Sequence, residues 1–157
     1  MYIGIVVLLL VIAPIGSISY EMVYIHSTAP LLFLIGKWFT FWAVGVRLFI
    51  AGIRQTIQPR FTAHEIFKLE GDEAFPIVRE VGFGNLAMGT LGLATLMKPE
   101  WLVAGALVGG LYYGLAGLVH VFGRERNLNE NVAMISDVAV AVVLLGYCGG
   151  SLLGRGL

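Results

Sequence analysis

Five stretches of this chain are too long and too apolar to be left in water. They run roughly over residues 2–20, 31–53, 75–97, 100–122 and 131–153. Each exceeds the ~17–19 residues that a helix needs to cross a hydrocarbon core of about 30 Å. Inside such a core every backbone N–H and C=O must find a partner within its own segment, so an apolar run of this length reads as a helix. The composition agrees, with 58% hydrophobic residues and 13% charged, against about 25% charged in an ordinary soluble domain. The expected fold is all-α, one domain spanning residues 1–157, a membrane-embedded bundle of five transmembrane helices. Ten Lys and Arg balance ten Asp and Glu, which leaves no basic surface for nucleic acid.

The first run lacks a positively charged segment ahead of it and a clean Ala-x-Ala site after it, so it is read as a retained helix rather than a leader. Lys98, Pro99 and Glu100 alone separate the third and fourth runs, which predicts a tight helical hairpin with Pro99 opening the fourth helix. The longest connection, about 54–74, holds Arg54, Arg60, Glu65, Lys68, Glu70, Asp72 and Glu73. Within it, Thr62 and Glu65 have the spacing of a capping box, which suggests one or two turns on the membrane surface or simply an ordered loop. Arg54, Arg60, Lys68, Arg124 and Arg126 fall on the N-terminal side. Lys98 and Arg155 fall on the other, with Lys37 if the second helix starts late. This asymmetry predicts a cytoplasmic N-terminus and an outside C-terminus, in a bacterial inner membrane. Tyr20, Tyr24, Trp38 and Trp101 would then lie near the outer boundary.

Glycine is frequent, with 21 residues, most of them inside the runs. In lipid, close approach of backbones becomes a main device for helix association. Ala106, Gly110 and Gly114 form one seam on the fourth run, with Gly105, Gly109 and Gly117 beside it. The third run has Gly82, Gly89 and Gly92, and the fifth has Gly146, Gly149 and Gly150. The expectation is that the third and fourth helices pack tightly against each other and against the fifth.

Ionisable groups within the runs cost about 2.5–3.5 kcal/mol each on insertion scales, so their placement matters. They are Arg47, Arg79, Glu80 and Asp137, with His120 nearby. At about 1.5 Å per residue, Arg47 and Asp137 lie roughly 10 Å from the inner ends of their helices, Glu80 roughly 9 Å and His120 roughly 5 Å. They would gather in one layer in the cytoplasmic third of the membrane. Two Arg against two carboxylates is a neutral set, and Arg47 could pair with Glu80 or with Asp137, leaving Arg79 the other. Asn85, Asn131 and Ser136 could complete a network. Such a layer is either a polar clasp that sets helix register, with Arg79 reaching to the interface, or a relay or ligand pocket for a proton, ion, head group or quinone.

No Gly-rich phosphate loop, nucleophile elbow or carboxylate-rich metal motif is present. The single cysteine, Cys148, reads as a small buried hydrophobe. A haem between two histidines is not expected, because His26 falls on the opposite side from His120 and His64 falls in the loop. The pattern points away from catalysis, and no cofactor or metal is called for.

Several stretches resemble an uncharacterised family of small bacterial membrane proteins. They are Gly36-Lys37-Trp38-Phe39, residues 41–48, residues 60–63, Val78-Arg79-Glu80-Val81-Gly82-Phe83-Gly84-Asn85-Leu86-Ala87, residues 112–117 and residues 129–137. More distantly, Glu80-Val81-Gly82 and His120 are similar to the Glu-Leu-Gly-like motif and late His of DoxX-like four-helix proteins. That second resemblance implies a link to membrane redox complexes and quinones. The leading expectation is an accessory or structural subunit with the lipid bilayer, other membrane subunits or a second copy of itself as partners. A small proton- or ion-coupled transporter and a quinone-linked redox protein are the alternatives.

Overall fold

A computed structural model describes residues 2–66, 69–122 and 128–154, the side chains at 2, 66, 120, 122 and 128–130 excepted. Lys68, Arg124, Arg126 and Arg155, all used in reading the orientation, lie outside the described residues. Among the described residues the fold is helical throughout, without a strand.

Five long helices follow one another. In α1, Tyr2–Val7 runs through a wide π-helical turn, Leu8–Ile12, into Ala13–Val23. In α2, Leu31–Phe39 leads through a second π-helical stretch, Thr40–Leu48, into Phe49–Ile57. Next come α3, Phe75–Ala94, then α4, Leu102–Phe122, and α5, Leu128–Leu152. A single 3-10 turn, Pro99–Trp101, leads into α4, the proline supplying a φ already suited to a helical start. The loop after α2 contains one more wide turn, Phe61–Ile66. Thr62 lies inside that turn rather than ahead of it, so it does not act as the cap that its spacing to Glu65 suggests.

Four segments are long and apolar enough to cross a membrane: Ile3–Val23, Leu31–Ile57, Pro99–Val119 and Asn131–Leu152. This is the pattern of a multi-pass membrane protein. The sequence leads to five such runs, and the difference is α3. Arg79, Glu80 and Asn85, together with its glycines, dilute a 20-residue helix.

Those glycines instead serve packing. The buried positions of α3 are Val78, Gly82, Asn85, Gly89 and Gly92, a stripe at alternating spacings of four and three that presents one face to a neighbour. That neighbour is α2, running antiparallel. A Cβ added to Gly45 would stand 2.9 Å from the Leu93 nitrogen, one on Gly52 2.7 Å from the Leu86 nitrogen, and one on Gly89 2.6 Å from the Phe49 nitrogen. A Cβ on Gly92 would fall on the Gly45 backbone itself. The two main chains therefore touch over two helical turns with no side chain between them.

The fourth helix divides its small residues between two partners. Gly110, Gly114 and Gly117 face Leu145, Ala141 and Val138 of α5, while Gly109 faces Val44 of α2 as well as Leu144. Gly105 lies between Thr40 of α2 and Thr95, and Ala106 is fully buried. The third and fourth helices also touch, Gly105 lying against Leu91 as well as Thr95. The expected tight pairing of the third helix with the fourth is thus replaced by α2 with α3, whose glycine faces meet each other, while the expected contact of the fourth helix with the fifth is present. The core centres on Val44, Leu48, Ala106, Tyr113, Leu144 and Tyr147, with Cys148 buried beside it.

Gly92→Ala should therefore lower stability by at least about 1–3 kcal/mol, the usual cost of overpacking. Gly84→Ala, where a Cβ meets nothing within 4 Å, should change it by less than about 1 kcal/mol. Thermal unfolding in one detergent compares the two.

Candidate functional site

The polar centre of the bundle is built by three helices. Arg47 on α2 places Nη1 3.1 Å from Asp137 Oδ1 on α5. The Arg47 Cζ stands 5.2 Å from the centre of the Tyr113 ring on α4. The Tyr113 hydroxyl donates to the Ala43 carbonyl at 2.5 Å. The side chains of Arg47 and Asp137 are only 17% and 8% exposed, so the pair stands largely out of solvent.

Local structure explains why Ala43 can accept that bond. It lies within the π-helical stretch Thr40–Leu48, where the ladder is displaced from i→i+4 and a carbonyl can turn to an outside donor. The same widening carries Arg47. Counting from the helix ends, Arg47 lies about 15 Å from Ile57 and Asp137 about 14 Å from Leu128 at 1.5 Å per residue. Both are deeper than the sequence suggests, because α2 continues four residues beyond the expected end and α5 starts three residues sooner.

The other candidates take different positions. Arg79 and Glu80 are exposed and do not join Arg47 and Asp137. They adjoin the buried residue Val78 in sequence, and successive residues turn about 100° around a helix, so they point away from the face that packs on α2. The side chain of His120 lies outside the described residues. Asn85 donates to Gln55 Oε1 at 2.7 Å, linking α3 to α2 below the charge pair. Ser136 turns back to the Ala133 carbonyl of its own helix at 2.8 Å.

Sequence reasoning missed a second polar joint. Lys37 Nζ lies 2.8 Å from Glu21 Oε2, and Trp38 Nε1 donates to the same oxygen at 2.8 Å. One turn further along, Trp42 Nε1 donates to Ser17 Oγ at 3.0 Å. Together they hold α1 on α2 near their connecting turn, where His26 takes a positive φ of 53°. The signal was present: Glu21 and Lys37 flank that turn, with Ser17 and Trp42 about one helical turn farther away on each side.

At the opposite end of α2 an open cavity of about 670 Å³ is lined by loop residues and by Arg79. His64 Nε2 lies 3.0 Å from the Gly71 carbonyl and 3.8 Å from Asp72, and its ring contacts Phe75. Arg54 stands over the Phe61 ring at 3.4 Å.

The model of a family of unknown function, DUF6790, matches residues 3–150, and the chain belongs to that family. No curated protein and no solved structure matches the chain.

Removing one partner of a buried ion pair leaves a bare charge, at a cost of about 3–5 kcal/mol. Arg47→Gln and Asp137→Asn should each destabilise by about that amount, and the double variant should recover part of the loss. Glu21→Gln, which keeps an oxygen able to accept from Trp38 Nε1 at a joint where Lys37 is 25% exposed, should cost less than either of these. A double-mutant cycle followed by thermal unfolding tests all three.

Proposed function

We propose that this member of the DUF6790 family is a non-enzymatic, five-span helical subunit of a larger membrane assembly. It sits in a bacterial inner membrane with its N-terminus in the cytoplasm and its C-terminus outside. The observation that carries this reading is the outward face of α3. Glu80, Gly84 and Ala87 are all exposed and recur at spacings of four and three, so they form one stripe on the side away from α2.

A carboxylate left against lipid is costly, whereas a neighbouring helix with a cationic or hydrogen-bonding side chain would satisfy it. Gly84 has open space where its Cβ would be, which lets such a helix approach closely. The occupant is a transmembrane helix of another subunit bearing Lys, Arg or a polar donor near the cytoplasmic side.

The fifth span is α3 itself. Its 20 residues are about 30 Å long, enough to cross. Arg79, the fifth residue of α3, is within reach of the interface by snorkelling, whereas the short side chain of Glu80, the sixth, is not. The buried charges support a structural role too. Arg47 and Asp137 are bound to one another and tie α2 to α5, with Tyr113 of α4 between them, in the manner of a joint rather than a moving carrier.

The expected outcome is that partner chains retained on native purification are lost from Glu80→Gln and Ala87→Leu, while each variant unfolds at the wild-type temperature. Identical chains with wild type and variants, or none with either, would count against the subunit reading. Ion or solute flux in proteoliposomes that Glu80→Gln abolishes would favour a proton-coupled carrier instead.

A further inference from the structure

Residues 58–65, which follow α2, form the wall of a groove. The open cavity of about 670 Å³ at this end of the bundle is lined by Arg60, His64 and Glu65 from the loop and Arg79 from α3. Phe61 and Phe75 give it an apolar side. Its size falls in the range of ligand sites, about 300–1,000 Å³.

The charges in it are unequal. Among the described residues two guanidinium groups face one carboxylate, so with His64 counted as neutral the described lining carries one net positive charge. Arg60 and Arg79 are both exposed, and among the described residues neither has an ion-pair partner, unlike Arg47 and Lys37. Guanidinium groups match the oxygens of a phosphate geometrically and hold it through charge-assisted hydrogen bonds.

The wall itself is held in place. His64 is fixed between the Gly71 carbonyl and the Phe75 ring, and Ala63 is fully buried beneath the turn. Location completes the argument. The groove opens where α2 ends at Ile57 and α3 begins at Phe75, at the polar ends of membrane helices. Arg79 stands about 6 Å along α3 from its start, close to the polar end of that helix.

We infer that this groove binds the head group of a monoanionic phospholipid, its phosphate on Arg60 and Arg79 and its glycerol end against Phe61 and Phe75. One negative charge on the lipid neutralises the one positive charge of the lining. A zwitterionic lipid would leave that charge uncompensated and bring an ammonium group beside two guanidinium groups. The groove would thereby orient the loop on the cytoplasmic leaflet, where anionic lipids attract basic segments.

The test uses the full chain in a neutral detergent, titrated with short-chain phosphatidylglycerol and read by native mass spectrometry. Wild type should retain one phosphatidylglycerol, and Arg60→Gln/Arg79→Gln should bind it at least about tenfold more weakly. Lys98→Gln, at the other end of the bundle, should bind as wild type does. Both arginines are exposed, so thermal unfolding should be unchanged. Should the double variant not fold, the two single variants carry the test, each expected about threefold weaker or more. Equal binding by wild type and arginine variants would overturn the proposal. So would equal retention of short-chain phosphatidylcholine, or displacement of the lipid by inorganic phosphate at the same concentration.

Discussion

The contact on which this fold depends is backbone against backbone between α2 and α3. Where lipid surrounds a helix, burying a leucine against another helix gains little that the lipid does not already supply. Close approach is different, because it brings many weak contacts into range at once. Gly45 and Gly52 on α2, with Gly82, Gly89 and Gly92 on α3, remove every side chain that could hold the two helices apart. The third helix has a diluted apolar character because those positions are glycine, and it is held by the partner that the same glycines admit.

That contact leaves α2 with its remaining faces free, and each is used differently. Toward α1 it offers Lys37, Trp38 and Trp42, which reach polar groups at the end of that helix. Toward α4 and α5 it offers Val44, Arg47 and the Ala43 carbonyl. The π-helical widening at Thr40–Leu48 makes these faces compatible: it turns a carbonyl outward while Gly45 still meets Gly92. The second helix is therefore the axis around which the other four are arranged, and the charge pair ties down the side that the glycines do not reach.

The buried pair and the outward charges answer the same electrostatic problem in two ways. Arg47 and Asp137 lie too deep to reach water, so they neutralise one another in a low-dielectric setting where attraction is strong but removal of either partner is severe. Arg79 and Glu80 start within the first turns of α3, and the backbone turns them away from the core. One carries its charge toward the loop groove, and the other stands on the outer stripe with Gly84 and Ala87.

The helical class, the approximate limits of five runs, and the residues that could not rest in lipid are all legible in the amino-acid order. Hydropathy is a property of each residue summed along a segment, and depth follows from counting residues at a constant rise. Arg47 and Asp137 could be assigned to one layer on that basis. What counting does not supply is azimuth. Arg79, one residue beyond the buried Val78, lies about 6 Å along α3, short of the depth of Arg47 and Asp137, and turns away from the face that packs on α2. The choice of neighbours is likewise a tertiary matter. Gly82, Gly89 and Gly92 announce a close contact without naming the helix that makes it, and the short hairpin to α4 suggested the wrong one. Glu21 and Lys37 met because a turn folded back on itself. The sequence alone settled which groups needed partners in a medium without water; only the folded chain decided which partners, since that depends on helix faces meeting across distances the sequence does not measure.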